Sequence, residues 1–143
     1  MDQFMRAAMD EALQGMAEGG TPIGSVLVLD GRIIGRGRNR QNQLNSIIRH
    51  AEMDCIDRAG NLQTGEYQRA VLYTTLSPCD MCTGAILFFN IPRVVIAVNT
   101  NILGAEDYLR ARGVEVVVLN DPDCIRMLRD FDLAHPGVWN KGE

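Results

Sequence analysis

Residues 78–82 read Pro-Cys-Asp-Met-Cys, and residues 50–52, upstream, read His-Ala-Glu. One imidazole and two thiols are typical Zn²⁺ ligands, and three protein ligands leave the fourth tetrahedral position to water, as in catalytic sites. Zinc lowers the pKa of that water, so that hydroxide is available near neutral pH. Glu52 lies two residues from the histidine, where a carboxylate can face the same water and carry its proton. The predicted metal ligands are His50, Cys79 and Cys82.

The rest of the chain alternates between helical and strand patterns. The predicted helices cover residues 2–18, 50–59, 79–89, 104–112 and 121–131. The predicted strands cover residues 22–30, 33–35, 70–76, 93–98 and 114–119. Asp30-Gly31 is a two-residue hairpin signal between the first two strands, and residues 41–48 are predicted to form a loop. The helix that begins near Cys79 places both thiols at its N-terminus, which favours their thiolate form.

Near-continuous apolar strands separated by helices indicate a sheet that is covered on both faces. We therefore expect a single α/β domain over residues 1–143. Its predicted architecture is a three-layer α/β/α sandwich around a five-stranded mixed sheet. The first two strands form a hairpin, and the later three are joined by helical crossovers.

Charge and composition favour a small-molecule partner. The 143 residues carry a net charge of −4, whereas nucleic-acid-binding proteins usually have a basic excess. The arginines of residues 35–40 form only a local cluster. No apolar run approaches the roughly 18 residues needed to cross a bilayer, and the N-terminal residues lack a signal-peptide pattern. We expect a cytoplasmic protein that binds no membrane, and the charge argues against a nucleic-acid partner.

The four cysteines are Cys55, Cys79, Cys82 and Cys124. In a reducing compartment a Cys-x-x-Cys pair is more often metal-binding or redox-active than a structural disulfide. Such a pair could also be half of a structural zinc site, but the upstream His-x-Glu favours the catalytic alternative. Cys55 and Cys124 are predicted to be small buried core residues.

The pattern His-x-Glu…Pro-Cys-x-x-Cys, within Thr-Thr-Leu-Ser-Pro-Cys-Asp-Met-Cys-Thr-Gly-Ala-Ile at residues 74–86, resembles the cytidine and deoxycytidylate deaminase superfamily. Within that superfamily the chain is most similar to the fungal-type cytosine deaminases. The similarity covers nearly the whole chain, including residues 19–24, 35–39 and 108–113. It implies the α/β/α fold, a Zn²⁺ cofactor, a homodimer and hydrolytic deamination of a nucleobase.

The resemblance also implies roles for individual residues. The implied zinc ligands and proton shuttle are His50, Cys79, Cys82 and Glu52. Asn39 matches a residue whose side chain binds the ring carbonyl oxygen, and Ala51 matches one whose backbone N–H does the same. The implied pocket-lining residues are Ile23, Ile102 and Trp139. Without the resemblance, Asn39 could equally be a turn residue that follows a strand. Trp139 would more often be an aromatic residue that packs the tail against the core.

The C-terminal tail departs from the fungal pattern. The enzymes it resembles have an Asp three residues after the tryptophan, and that carboxylate accepts the N1–H of cytosine. Here Trp139 is followed by Asn-Lys-Gly-Glu. When isocytosine is superposed on cytosine at the reacting carbon, ring atoms N1 and C5 exchange places. An Asp at this position would then face a C–H instead of an N–H. A buried carboxylate left unpaired in this way costs about 1–3 kcal/mol. The missing Asp favours isocytosine, or a related 2-aminopyrimidinone or aminotriazine, unless Glu143 folds back to replace it.

Other functions stay open at this point. Cytosine itself is the first alternative substrate. A tRNA adenosine deaminase shares the His-Ala-Glu and Pro-Cys-x-x-Cys motifs, and guanine has the same amino-oxo ring edge as isocytosine. The non-enzymatic alternative is a zinc-stabilised binding module, but a closed structural site has no use for a carboxylate such as Glu52 beside an open coordination position.

Overall fold

The computed structural model describes residues 1–137, so Trp139 and Glu143 lie outside the described residues. The strands are β1 (Gly24–Leu29), β2 (Arg32–Arg38), β3 (Val71–Leu76), β4 (Arg93–Val98) and β5 (Glu115–Val118). The helices are α1 (Gln3–Ala17), α2 (Gln41–Leu44), α3 (Ala51–Ala59), α4 (Thr64–Tyr67), α5 (Asp80–Phe88), α6 (Glu106–Ala111) and α7 (Pro122–Ala134).

The five strands form one mixed sheet in the order β2-β1-β3-β4-β5, which confirms the predicted sheet. β1 pairs antiparallel with both β2 and β3, while β3, β4 and β5 run parallel. The turn between β1 and β2 has positive φ at Asp30 and Gly31, 50° and 77°. Positive φ at both central residues is the type I′ geometry that the Asp-Gly pair predicts.

Apolar side chains leave the sheet on both faces and form two separate clusters. Val26 and Val95 belong to the cluster that includes α1 and α7, while their neighbours Leu27 and Val94 belong to the cluster that includes α3, α5 and α6. Alternate residues of a strand point to opposite faces, so a sheet with two covered faces has apolar residues at every position. Each fully buried side chain of this type contributes about 1.5–3 kcal/mol. The predicted three-layer sandwich is therefore present.

Two differences from the predicted elements have local causes. Residues 41–48, predicted as a loop, contain the one-turn helix α2, which ends at Asn45 in the left-handed conformation. α4 is another one-turn helix that was not predicted. A single turn is too short to show a helical period of apolar residues. None of the described helices is long and apolar enough to cross a membrane.

Glycines in β2 let α3 lie unusually close to the sheet. A Cβ at Gly37 would lie 2.2 Å from the backbone N of Cys55 and 2.7 Å from the carbonyl oxygen of Ala51. Gly35 faces the same helix, where a Cβ would lie 2.7 Å from the Cβ of Ala59. Because α3 also carries the His-Ala-Glu motif at its start, these two glycines set the position of that motif.

Replacing Gly37 with alanine should destabilise the protein. The added methyl overlaps the backbone of α3, and overpacking of this kind costs about 1–3 kcal/mol or more. The control is Gly65→Ala in α4, where an added Cβ meets no described atom within 4 Å. We expect that control to change the free energy of unfolding by less than about 1 kcal/mol. Urea denaturation of both variants measures the difference, and equal stability would contradict the proposed close contact.

Candidate active site

The N-termini of α3 and α5 bring the predicted metal ligands together. His50 is the N-cap residue of α3, and Cys79 is the N-cap residue of α5. Cys82 lies in the first turn of α5, where its backbone N–H donates to the Sγ of Cys79 at 3.5 Å. The ligand atoms of all three residues lie within 4.8 Å of one another. A metal centre can therefore form where two helices begin.

The spacing of the three ligand atoms matches tetrahedral zinc. The Nδ1 of His50 lies 3.4 Å from the Sγ of Cys79 and 3.7 Å from the Sγ of Cys82. Zn–N bonds of about 2.0–2.1 Å and Zn–S bonds of about 2.3 Å at tetrahedral angles place nitrogen and sulfur about 3.6 Å apart. The protein holds its ligands at the separation that the ion requires.

The pKa values of the two thiols of this centre are shifted in opposite directions. A hydrogen bond from the Cys82 thiol lowers the pKa of Cys79 to about 4, with burial opposing the shift and His50 supporting it. The pKa of Cys82 is raised, because its proton is held by Cys79 and because the thiol is buried. Cys79 is therefore the first of the two to become a thiolate. Zinc binding would release the remaining proton, since thiolates are the ligand form.

Glu52 stands in the first turn of α3 as a buried carboxyl group, only 2% exposed. Burial raises the pKa of this group above its usual range. Its Oε1 atom is buried and has no hydrogen-bond partner among the described residues. A buried polar atom left unpaired costs about 1–3 kcal/mol, so it needs a functional or solvent explanation. A carboxylate that accepts a proton beside a metal centre would be such an explanation.

A cavity of about 790 Å³ opens onto the metal ligands. Its wall is largely aliphatic and includes Ile102, one of the residues predicted to line the pocket. The cavity lining consists of Ile47, Ile48, His50, Cys79, Asp80, Met81, Ile102, Leu103, Gly104 and Ala105. Ile47 and Ile48 were not predicted to line it, although two adjacent isoleucines in an otherwise polar loop are a signal that could have identified them.

The other predicted substrate contacts among the described residues, Asn39, Ile23 and Ala51, are not part of that lining. Asn39 directly follows β2 and is almost fully buried. Its Nδ2 donates to the Oε1 of Gln41 at 3.1 Å, and its backbone N–H donates to the carbonyl of Ile23 at 2.9 Å. Ile23 and Ala51 are fully buried, and Ala51 begins α3 beside His50. The roles of these residues stay predictions, and Trp139 lies outside the described part of the chain.

The arginine cluster of residues 35–40 is neutralised by carboxylates. Arg38 pairs with Glu11 and Glu18 at 2.9 Å, and its hydrogen bond lowers the pKa of Glu18 to about 2. Arg40 pairs at 2.7 Å with Asp54, which is completely buried. Because these guanidinium groups already have anionic partners, they offer little free positive charge to a phosphate backbone.

Residues 1–98 match the protein-family model described as the cytidine and deoxycytidylate deaminase zinc-binding region. The chain belongs to the cytidine and deoxycytidylate deaminase family. This match and the His/Cys/Cys cluster together identify Zn²⁺ as its cofactor. A cytosine deaminase of Candida albicans is 44% identical over 138 residues, which cover 96% of this chain and 92% of the relative.

Two solved structures resemble the fold. That of a tRNA:A34 deaminase has a TM-score of 0.73 and 32% identity, and the match covers 87% of this chain and 98% of the other. That of a guanine deaminase from Nitrosomonas europaea has a TM-score of 0.76 and 20% identity, with 91% of this chain and 83% of the other covered. At that lower identity, the second comparison shows the fold alone.

Removing one thiol from the centre should remove the metal. Cys79→Ala leaves one sulfur and one nitrogen donor, and we expect its zinc content to fall far below about one ion per chain. Cys124→Ala is the matched control, since Cys124 is a buried free cysteine outside the cluster. Elemental analysis after dialysis against a chelator measures both. Equal zinc in the two variants would show that Cys79 is not a ligand.

Proposed function

We propose that this deaminase hydrolyses a free pyrimidine base, preferring isocytosine, which gives uracil and ammonia. The observation that carries the proposal is the buried Glu52 carboxyl group, with its unpaired Oε1, in the first turn after His50. A zinc-stabilised binding module would close its metal with four protein ligands and would gain nothing from a buried carboxyl group. The arrangement therefore supports catalysis over a purely structural role.

Zinc held by His50, Cys79 and Cys82 would lower the pKa of a water molecule and so make it a nucleophile. In the proposed reaction Glu52 takes a proton from that water and delivers it to N3 of the base. The water oxygen adds to the carbon that bears the amine. Glu52 then takes the remaining proton of the added hydroxyl group and passes it to the amine. The C–N bond breaks as the carbonyl of the product forms, and the amine leaves as ammonia. A pKa raised by burial suits a group that must both accept and return a proton near neutral pH.

The aliphatic lining of the cavity suits the flat faces of a base. Ile102 and the neighbouring aliphatic side chains of the lining would contact the faces of the base. We propose that the side chain of Asn39 and the backbone N–H of Ala51 bind the ring carbonyl oxygen. Both proposals rest on the match to the deaminase motifs.

The choice of isocytosine rests on the sequence of the tail. Gly142 occupies the position, three residues after Trp139, where the fungal pattern has an Asp. The 44% identity to the Candida albicans cytosine deaminase favours cytosine as the second candidate. A tRNA substrate has support from the tRNA:A34 deaminase structure, whereas the ion-paired arginines support a small base. Guanine deamination is the remaining alternative.

We also propose that the protein is a homodimer. Ile47 and Leu103 line the cavity and are 74% and 69% exposed, and Phe88, at the end of α5, is 79% exposed. Exposed apolar side chains near a functional site are typical of protein–protein contacts. A single domain and a cytoplasmic location stay predictions from the sequence.

Glu52→Gln tests the proposed proton transfer. The amide keeps the shape of the carboxylate but cannot carry a proton, so kcat/KM should fall about 10²–10⁴-fold. The zinc content should stay at the wild-type value, because Glu52 is not a ligand. Glu115→Gln, at the exposed first position of β5, is the control and should keep full activity. Full turnover by the Glu52→Gln protein would remove the basis of the proposal.

A comparison of isocytosine with cytosine tests the substrate. Ammonia release at equal enzyme concentration should give the larger kcat/KM for isocytosine. Gly142→Asp should shift the ratio towards cytosine, because the new carboxylate can accept N1–H. Gly142→Asn, which has the same shape without the charge, is the control. A much larger kcat/KM for cytosine in the unmodified protein would contradict the isocytosine assignment.

A further inference from the structure

A buried pair of polar side chains joins one wall of the cavity to the segment that carries a metal ligand. The hydroxyl of Ser77 donates to the Oε2 of Glu106 at 2.6 Å. The same hydroxyl oxygen accepts the backbone N–H of Gly104 at 2.9 Å. Ser77 and Glu106 are each 3% exposed. Ser77 lies two residues before Cys79, so the hydrogen bonds connect the zinc-ligand segment with residues 99–105, here called the wall loop.

Glu106 contacts the wall loop near both of its ends. Its Oε1 accepts a hydrogen bond from the Nδ2 of Asn99 at 3.3 Å, at the start of the loop. Its Oε2 reaches Gly104, near the end of the loop, through the hydroxyl of Ser77. Both carboxylate oxygens are therefore used to fix one short segment. Within that segment Ile102 and Leu103 line the cavity.

The wall loop also packs directly against the backbone beside Cys79. The N–H of Ala105 donates to the carbonyl of Pro78 at 3.4 Å. A Cβ at Gly104 would lie 1.9 Å from that same carbonyl oxygen. Only a residue without a side chain allows this approach. The distance between the apolar wall and the metal ligands is thus set by a few contacts around Ser77.

A buried carboxylate is a costly way to stabilise a core. Removing a charge from water is unfavourable unless hydrogen bonds compensate it, and the ion pair that Glu106 makes with Arg110 is long, at 3.9 Å. An apolar residue would fill the same volume without that cost. The carboxylate does what an apolar residue cannot, because its two oxygens hold two points of the wall loop at once.

We propose that Ser77 and Glu106 are positioning residues that set how the cavity binds and selects its base. This inference rests on the proposed function and concerns the same site. Neither residue lines the cavity, so neither is expected to touch the reacting atoms. Their effect is to keep Ile102 and Leu103 at a fixed distance from the metal ligands. Contacts that bind the substrate and the transition state equally well change KM and leave kcat nearly unchanged.

Ser77→Ala is the first test. It removes the acceptor for the Gly104 N–H and leaves the Oε2 of Glu106 without its donor. We expect KM for the preferred base to rise about 10-fold, the isocytosine-to-cytosine ratio to change, and kcat to change less than about 3-fold. The zinc content should not change. Tyr67→Phe is the control, since it loses a part-buried hydrogen bond to the carbonyl of Gly60, among residues outside the cavity lining.

Variants of Glu106 show whether the two residues act together. Glu106→Gln keeps an oxygen acceptor for the Ser77 hydroxyl and should stay within about 3-fold of the wild-type KM. Glu106→Ala should raise KM at least as much as Ser77→Ala does, because it also removes the contact with Asn99. Because the two side chains share the Ser77–Glu106 hydrogen bond, the double alanine variant should cost less than the sum of the two single variants. Additive effects of the two alanine substitutions would overturn the proposed shared role.

Hydrogen exchange separates this inference from the proposed function. In the Ser77→Ala protein the amides of residues 99–105 should exchange faster, while those of β1 keep their protection. If the wild type deaminates no base, the proposed function fails, and the exchange rates alone decide whether Ser77 positions the loop. Unchanged exchange in the loop overturns the inference. So does a variant that is less stable but keeps the wild-type KM and base preference.

Discussion

The meeting of two helix N-termini at one point is the constraint on which the rest of the structure depends. α3 begins after His50 and α5 begins after Cys79, so both positive helix ends face the same three ligand atoms. A thiolate at Cys79 is favoured in that field. The sheet supports this arrangement. The backbone N–H of Arg38, at the end of β2, donates to Asp54 of α3 at 3.1 Å, and β3 ends at Leu76, shortly before α5 begins at Asp80.

The structure places reactivity and recognition on different parts of the chain. The ligands and Glu52 lie at the N-terminal ends of two nine-residue helices that pack on the sheet through buried apolar side chains. The aliphatic lining of the cavity comes mainly from segments outside regular elements, around Ile47 and Ile102. Chemistry that needs fixed geometry is thereby supported by rigid elements, while the proposed contacts with the base come from loops.

Much of this could be predicted from the sequence, for physical reasons that also explain what could not. The strands and long helices follow from apolar periodicity, and the metal ligands from residue types at a spacing that suits one ion. The partners of Asp54 and Glu106 could not be predicted, because a carboxylate in a helix is expected from sequence to be exposed to solvent. Both are buried by contacts with residues that are distant in sequence. The one-turn helix α2 and the cavity lining at Ile47 likewise depend on contacts between residues distant in sequence.

Because loops form most of the cavity wall, the binding site can change during evolution more easily than the metal centre. Insertions, deletions and substitutions are tolerated in loops far better than in packed elements. A lineage can therefore exchange one ring system for another by altering segments such as 99–105, without rebuilding the hydrolytic machinery. Homologues that share this fold would then differ first in the lengths of these loops and in the volumes of their side chains.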